Sequence, residues 1–331
     1  MSALRVGVLA YPGCFASEVF GVPDLLTMAT HVAGPERAAY EVSVLSPRLR
    51  VAASGGTTLA VSPLREVDVL VVPGFESVPG RFDLDARLTA LAPEVAAIRS
   101  HAAAGNAVVS ICVGAFLLAE AGLLDRRRAT TAWLFADELA RRCPDTDVRP
   151  ERLVVTDRGV TTTAAFSAMY DFALQLIRRH SGARVARATA RVALVDDARS
   201  SQTPYVDTRL LPQTGHEFSR RVMRQLDQNL AAPYDLAALS YAFNVSSRTL
   251  LRRFADETGL SPLGYLQSSR VRRARHLLET TDRTVAAIAT TVGYRDPGTF
   301  AALFARHTGQ RPSAYRATFR RGADRTEASA P

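Results

Sequence analysis

The chain of 331 residues has no lysine, three cysteines and a single tryptophan, so all 41 of its basic residues are arginines. The cysteines Cys14, Cys112 and Cys143 are odd in number and widely spaced, so neither a disulfide framework nor a metal-ligand motif is implied. No apolar run reaches the ~18 residues of a membrane span, and no leader sequence is recognisable. We expect a cytoplasmic protein with no membrane contact, no metal and no cofactor.

Positive charge is concentrated in the C-terminal third of the chain. Residues 216–331 hold 18 Arg against 10 acidic residues, a net +8, whereas residues 1–215 hold 23 against 22, a net +1. Such an asymmetry indicates that the C-terminal part faces an anionic partner, such as the phosphates of DNA. The length predicts two or three domains.

A short pattern occurs twice between Asp235 and Arg321, at an offset of about 50 residues. Each copy predicts a helix, a tight turn and a second helix. The matched pairs include Leu236 with Val285, Phe254 with Phe304, Gly259 with Gly309, Pro262 with Pro312 and Tyr265 with Tyr315.

Local signals predict where these helices begin and end. Asp235 suits an N-cap, and Asn244 tolerates the left-handed backbone of a turn. Ser246 or Ser247 suits the start of the second helix, and Gly259 suits its end. A third helix, from about Leu263 to Glu279, is expected to link the copies, with Val271, Ala274, Leu277 and Leu278 on one face and Arg270, Arg272, Arg273 and Arg275 on others.

Residues 4–195 alternate between strand and helix patterns, which predicts an α/β domain with a mostly parallel sheet. Ligands of such sheets bind at the carboxyl ends of strands. The predicted strands are Leu4–Ala10, Tyr40–Leu45, Val67–Val72, Ala107–Ile111, Leu153–Thr156 and Val160–Thr163, and the predicted helices are Glu18–Val32, Ala86–Ala104, Val113–Ala121, Ser167–Arg179 and Ala183–Val195.

Cys112, in the segment S-I-C-V-G-A-F, stands at an abrupt junction between a strand and a helix, where a side chain is held over the sheet edge. The amino end of the following helix is expected to favour a thiolate. This segment resembles the PfpI/ThiJ branch of the class I glutamine amidotransferase-like fold. The two helix-turn-helix copies with their linking helix resemble the AraC/XylS DNA-binding domain. Together they resemble the GlxA-type regulators over about residues 4–321.

The resemblance implies a flavodoxin-like α/β sandwich at 1–195 for sensing and dimerisation, a linker at 196–215, and an all-α DNA-binding domain at 216–321. Residues 322–331 are expected to be a disordered tail. Promoter DNA and a second copy of the chain are the implied partners, and a contact with RNA polymerase is left open. Arg199 and Gln202 match an R-x-x-Q-like segment of the family, so docking of the linker on the first domain also stays open.

By the same resemblance, the first domain holds a small-molecule pocket. Related regulators respond to small amino acids or quaternary amines, and the rings of Tyr11, Phe75 and Trp133 with Glu18 could cage a cation. Glu18 could instead hydrogen-bond Cys112 or be a solvated acid at a helix start. The expected pocket residues are Tyr11, Glu18, Gly74, Phe75, Cys112, Val113, Ala132, Trp133 and Phe166.

Catalysis by Cys112 would need a base to activate the thiol. Enzymes of this fold typically carry His directly after the cysteine, where this chain has Val113, and GlxA-type regulators often carry His where it has Ala132. No motif supports His31, His101 or His180 in that role. We expect no catalytic residue and no enzyme. The alternatives are a cysteine amidase or hydrolase fused to a DNA-binding module, and a thiol redox sensor acting through Cys112.

The resemblance also implies which residues contact DNA. Arg248 and Arg252 are four residues apart on one helix face, and arginine pairs with guanine through two hydrogen bonds. Ala301 and Ala302 stand at the matching places of the second copy and predict that it reads the bases less strongly. The phosphates would then be contacted by Arg295, Arg306, Arg311 and Arg316. The expected DNA-binding set is Ser246, Ser247, Arg248, Thr249, Arg252, Arg253, Arg295, Gly298, Thr299 and Arg306.

Overall fold

A computed structural model describes residues 3–34, 40–77, 83–197, 199–207, 210 and 217–320. The chain divides into two compact units, Met1–Gln202 and Thr203–Pro331. The expected tail and part of the expected linker lie outside the described residues. In the ranges that the structure describes, no helix is both long and apolar enough to span a membrane.

The first unit is built from eleven described strands and seven α-helices. The strands are β1 (Leu4–Leu9), β2 (Tyr40–Ser46), β3 (Val51–Ala52), β4 (Thr58–Leu59), β5 (Ser62–Pro63), β6 (Val69–Val72), β7 (Ala107–Ser110), β8 (Arg128–Ala129), β9 (Asp147–Val148), β10 (Val154–Asp157) and β11 (Val160–Thr163). The helices are α1 (Ala16–Ala33), α2 (Leu84–Ala90), α3 (Ala92–Ala103), α4 (Ala115–Glu120), α5 (Ala136–Arg142), α6 (Ala168–Ser181) and α7 (Ala183–Val192).

Seven of these strands form one sheet in the order β10-β11-β7-β6-β1-β2-β5. Neighbouring strands are parallel except for the β10–β11 hairpin. The connections from β1 to β2 and from β6 to β7 run in opposite directions along the sheet. Because crossovers between parallel strands are right-handed, α1 and α3 are expected on opposite faces. The strand order therefore reverses between β1 and β6, where the carboxyl ends of the strands leave a crevice. The predicted mostly parallel α/β fold is confirmed.

The single helix predicted over Ala86–Ala104 is wrong, because the chain forms α2 and α3 with a break at Leu91. Pro93 lies in the first turn of α3 and has no N–H to donate to the carbonyl four residues before it, so α2 cannot continue through it. Helix α5 was not predicted, and it is only seven residues long.

The second unit contains seven described α-helices. These are α8 (Glu217–Gln228), α9 (Leu236–Ala242), α10 (Ser247–Thr258), α11 (Pro262–Thr280), α12 (Val285–Thr291), α13 (Pro297–Thr308) and α14 (Pro312–Phe319). Helices α9 with α10 and α12 with α13 are the two predicted helix-turn-helix copies. The linking helix α11 serves both of their cores: Leu266 packs in the first, and Val271, Ala274, Leu277 and Leu278 pack in the second.

The predicted caps and turns are present. The side chains of Asp235 and Ser246 accept hydrogen bonds from backbone N–H groups at the starts of α9 and α10. Asn244, in the turn between these helices, has φ 53°. Gly259 ends α10 in the left-handed conformation with φ 70°.

Arg270 is buried although it was expected away from the apolar face of α11. Only 6% of it is exposed. Its guanidinium donates hydrogen bonds of 2.8 and 2.6 Å to the carbonyls of Leu230 and Ala232, and it lies 5.1 Å from the ring centre of Tyr294. The burial is tolerated because these carbonyls and the ring replace water around the charge.

Candidate functional site

The first candidate site is the elbow that follows β7. Cys112 has φ 53° and begins a short 3-10 turn that leads into α4. Such a backbone is strained for a residue with a side chain. Gly114 makes the turn possible, because a Cβ at that position would lie 2.6 Å from the carbonyl oxygens of both Val72 and Pro73. The predicted elbow is therefore present, close against the end of β6.

Glu18, at the start of α1, reaches the same place from the neighbouring strand connection. Its carboxylate Oε2 accepts a 2.5 Å hydrogen bond from the backbone N–H of Gly74. A Cβ at Gly74 would lie 3.2 Å from that oxygen and 3.1 Å from the Cβ of Cys112. Glu18, Gly74 and Cys112 thus meet at the carboxyl end of the sheet.

Burial controls the protonation of both side chains at this elbow. It raises the pKa of Glu18 from 4.5 to about 7, although the Gly74 amide works in the opposite direction. Cys112 is partly buried as a whole residue. Desolvation of its thiol, followed by the negative charge of Glu18, raises the pKa of Cys112 to about 12. The expected preference for thiolate is therefore wrong, because desolvation outweighs the amino end of α4.

The described residues offer no histidine base beside Cys112. Val113 and Ala132, the two positions at which the family resemblance led us to look for histidine, are both buried and apolar. His101 Nε2 lies 3.2 Å from the carbonyl of Ala107, at the start of β7 and thus at the opposite end of that strand from Cys112. The ring of His180 packs on Tyr40 at the start of β2. No group of three metal-ligating side chains was found among the described residues.

The aromatic members of the predicted pocket differ in their exposure. Tyr11 and Phe75 are fully buried and pack edge to face with 6.4 Å between ring centres. The Tyr11 hydroxyl donates to the carbonyl of Pro73. Phe166 is 41% exposed, and its ring packs on that of Phe15. Of these three rings, only that of Phe166 reaches solvent. The rings of Tyr11 and Phe75, which were expected around a cation, pack inside the core instead.

Thr131 is a residue of the elbow that sequence reasoning missed. It is fully buried, and its Oγ1 donates a 2.8 Å hydrogen bond to the carbonyl of Cys112. The neighbouring Trp133 donates its backbone N–H to Oε1 of Gln202 at 3.1 Å. The R-x-x-Q-like resemblance was the one signal pointing to Gln202, and the segment does dock on the first unit.

The second candidate site is the exposed face of α10. Arg248 and Arg252 are both exposed there, four residues apart. The hydroxyls beside them serve the fold: Ser246 accepts from the backbone N–H of Thr249 at 3.2 Å, and Ser247 Oγ lies 3.0 Å from Ser240 Oγ. The two arginines are therefore the charged groups that α10 presents outward near its start.

Arg253 is held differently from its neighbours on α10. Its Nε donates a 2.8 Å hydrogen bond to Glu257, and its guanidinium lies 4.2 Å from the ring centre of Phe218 on α8. These contacts pin the start of α8 to α10. Of the predicted DNA-binding arginines on this helix, Arg253 is the one that the fold already uses.

The corresponding face of α13 carries small side chains. Gly298 and Ala302 are exposed, and the hydroxyl of Thr299 donates a 2.7 Å hydrogen bond to the cap residue Asp296. Arg306 is exposed near the end of the helix. Exposed Arg295 precedes the helix, in the turn between α12 and α13, and exposed Arg311 follows it at the start of α14. Arg316 donates a 2.5 Å hydrogen bond to the carbonyl of Arg283 instead of extending outward.

Each of the two family matches falls within one of the two units. Residues 26–179 match the DJ-1/PfpI family, and residues 239–318 match a helix-turn-helix domain. A ThiJ/PfpI family protein from Pseudomonas syringae has the same fold, with a TM-score of 0.50 and 21% identity over 69% of this chain and 87% of that one.

Three curated relatives are named HTH-type transcriptional regulators. CdhR of Pseudomonas aeruginosa is 29% identical over 81% of this chain and 78% of its own. GlxA of Rhizobium meliloti is 30% identical over 64% of this chain, and GbdR of P. aeruginosa is 27% identical over 65%. The chain spans 65% of the length of GlxA and 59% of that of GbdR. This protein therefore joins a domain of the DJ-1/PfpI family to a helix-turn-helix domain of the AraC type.

Proposed function

We propose that the protein is a sequence-specific transcriptional regulator that binds promoter DNA through its second unit. The observation that carries this proposal is the exposed pair Arg248 and Arg252 on α10, in a fully capped helix-turn-helix that occurs twice. Arginine reads guanine in the major groove through two hydrogen bonds. The small residues Gly298 and Ala302 on α13 suit close approach and contact with thymine methyl groups. The names of the curated relatives support the same function.

Selection from a random duplex library with the full-length protein tests this proposal. Fluorescence anisotropy then compares the selected duplex with scrambled duplex of equal length, over a series of salt concentrations. We expect the selected duplex to bind about a thousandfold tighter or more, with affinity falling as salt rises. A selection without any shared sequence, together with equal affinity for both duplexes, would contradict sequence-specific binding.

We further propose that the first unit binds a small nitrogenous effector, an amino acid or a quaternary amine, at the elbow. Glu18 is fully buried, and its Oε1 has no hydrogen-bond partner among the described residues. A cationic group beside this oxygen would compensate for the lost hydration and favour the carboxylate. Phe166 supplies an exposed ring in the same unit.

A thermal-shift screen of amino acids and quaternary amines tests the effector. We expect at least one compound to raise the melting temperature of the wild-type protein, and the shift to be lost in Glu18→Gln. A shift that survives the substitution would place the compound elsewhere. The absence of a shift with every compound would overturn effector binding of this class.

In this proposal the first unit is a sensor without catalytic activity. Both an amidase and a redox sensor need a reactive thiolate. Burial raises the pKa of Cys112 and therefore disfavours that thiolate. We expect no hydrolysis of glutamine or small amides that depends on Cys112. Hydrolysis that disappears in Cys112→Ala would favour the enzyme instead.

We also propose that the regulator acts as a homodimer formed through the first unit, with RNA polymerase as a further contact at the promoter. Paired protomers place their recognition helices on two half-sites, so the selected duplex should contain one motif twice. Sedimentation velocity measures the mass of the free protein. A monomer at micromolar concentration together with a single half-site would contradict the dimer.

A further inference from the structure

The last residues of the first unit are held on it by side-chain contacts. Arg199 forms an ion pair with Asp171 and donates 3.1 Å hydrogen bonds to Oγ and the carbonyl of Ser167. The backbone N–H of Gln202 and the hydroxyl of Ser201 both donate to the carbonyl of residue 151. Residues 199–202 are therefore part of the first unit and not a free spacer.

Gln202 connects this segment to the elbow. Only 2% of it is exposed, and its Nε2 donates hydrogen bonds of 2.9 and 2.7 Å to the carbonyls of Thr131 and Pro150. Thr131 in turn donates its hydroxyl to the carbonyl of Cys112. The side chains of Thr131 and Gln202, linked in series by hydrogen bonds, thus connect the candidate effector site to the last residue of the first unit.

The first residues of the second unit are anchored on that unit in the same way. Arg275 of α11 donates to the carbonyls of Pro204, at 2.7 Å, and Val206. It also donates a 2.8 Å hydrogen bond to the hydroxyl of Tyr315 in α14. The ring of Tyr205 packs edge to face on that of Phe319, with 5.3 Å between centres. Residues 204–206 are thus bound to α11 and α14, which pack around the second helix-turn-helix copy.

We propose that residues 199–206 form a tether that couples the state of the Cys112 elbow to the second helix-turn-helix copy. Thr203 alone separates Gln202 from Pro204, and one residue spans at most ~3.6 Å. A displacement of Gln202 should therefore also move residues 204–206, which Arg275 holds, whereas a long flexible linker would let Gln202 move alone. This inference rests on the proposed function and names the route by which effector binding changes DNA affinity.

The test compares variants of the full-length protein, with and without slack in the tether. The insertion Gly-Ser-Gly-Ser between Gln202 and Thr203 keeps both anchors and adds length, and the same insertion after Leu49, which is 97% exposed, is its control. Thr131→Val removes the hydroxyl bonded to Cys112 and keeps the side-chain shape. Thr163→Val is the matched control, because its buried Oγ1 has no hydrogen-bond partner among the described residues.

DNA affinity for the selected duplex is measured for each combination. With the natural tether, or with the control insertion, Thr131→Val should change the affinity by about fivefold or more, the lower end of typical coupling between sites. With the Gly-Ser insertion the change should fall below about twofold. Thr163→Val should leave the affinity unchanged in every background. An equal effect of Thr131→Val with and without slack would overturn the tether, as would the absence of any effect.

Hydrogen exchange separates failure of the tether from failure of the proposed function. Exchange in the peptide Pro312–Phe319 needs neither DNA nor an effector, and Thr131→Val should alter it only when the tether has its natural length. Gln202→Ala removes the side-chain hydrogen bonds to the carbonyls of Thr131 and Pro150, at the other end of this connection. It should alter the exchange in the same way. If neither the wild type nor any variant binds DNA, the proposed function fails. Hydrogen exchange in Pro312–Phe319 still decides whether the tether couples the units.

Discussion

The backbone N–H of Gly74 donates a 2.5 Å hydrogen bond to Oε2 of Glu18, which joins the carboxyl end of β6 to the start of α1. One amide replaces only part of the hydration that the buried carboxylate has lost. The pKa of Glu18 is consequently raised to about 7, within the range in which cells operate. This one carboxyl should make the stability of the first unit depend on pH, and the proposed effector binding with it.

Glu18→Gln should remove a pH dependence of stability. A carboxyl whose pKa is higher in the folded state stabilises the protein below its unfolded pKa, near 4.5, and loses that contribution as the pH rises through about 7. The variant should therefore gain about 3 kcal/mol in unfolding free energy over wild type between pH 4.5 and 8. Urea titrations followed by fluorescence of Trp133, the only tryptophan, report on the first unit alone. Parallel pH profiles would show that Glu18 is not the titrating group.

Cys112 should react slowly with iodoacetamide. With a pKa of about 12, very little of the thiol is ionised at pH 8, so alkylation should be more than about a hundredfold slower than that of free cysteine. Mass spectrometry of the Cys112 peptide over time gives the rate. Glu18→Gln should speed the reaction, because it removes the nearby negative charge. A rate equal to that of free cysteine would instead support the redox-sensor alternative.

Arg252→Ala and Arg306→Ala should weaken DNA binding in different ways. Arg252 is expected on a base, so its loss should cost about 1–3 kcal/mol on the selected duplex and much less on scrambled duplex. Arg306 is expected on a phosphate, so its loss should weaken both and reduce the salt dependence. Anisotropy titrations on the two duplexes measure this difference. Equal losses on both duplexes for both variants would refute the division of roles.

Gly293→Ala should destabilise the second unit more than Gly259→Ala. Both glycines have positive φ, but a Cβ at Gly293 would lie 2.7 Å from the carbonyl oxygen of Ala231, whereas one at Gly259 would meet nothing within 4 Å. We expect about 1 kcal/mol from backbone strain at Gly259 and about 2–3 kcal/mol at Gly293. Circular dichroism during urea unfolding measures both. Equal losses would mean that the backbone at Ala231 moves to accommodate the new methyl group.

The two helix-turn-helix copies could be predicted almost residue by residue. Asp235, Ser246, Asn244 and Gly259 act within a few residues of their own positions, through caps and left-handed turns, so their effect is visible in the sequence. The break between α2 and α3 escaped prediction although Pro93 marks it, because a proline in a first turn is equally compatible with a helix start.

The elbow could be located from the sequence, but its chemistry could not. The position of Cys112 after a buried strand predicted the turn. The high pKa of its thiol depends on burial and on Glu18, which reaches it from a different strand connection. A helix start alone predicts the opposite direction.

The sequence by itself determined the alternation of the longer strands and helices, the capped helix-turn-helix repeat and the uneven charge, since these depend on neighbours in the chain and on composition. Tertiary structure alone decided that Arg270 and Arg253 serve the fold while Arg248 and Arg252 stay exposed. It also decided that Thr131 lies between Cys112 and Gln202. Such contacts join residues 19 to 71 positions apart, and only the packing of the complete chain brings them within hydrogen-bonding distance.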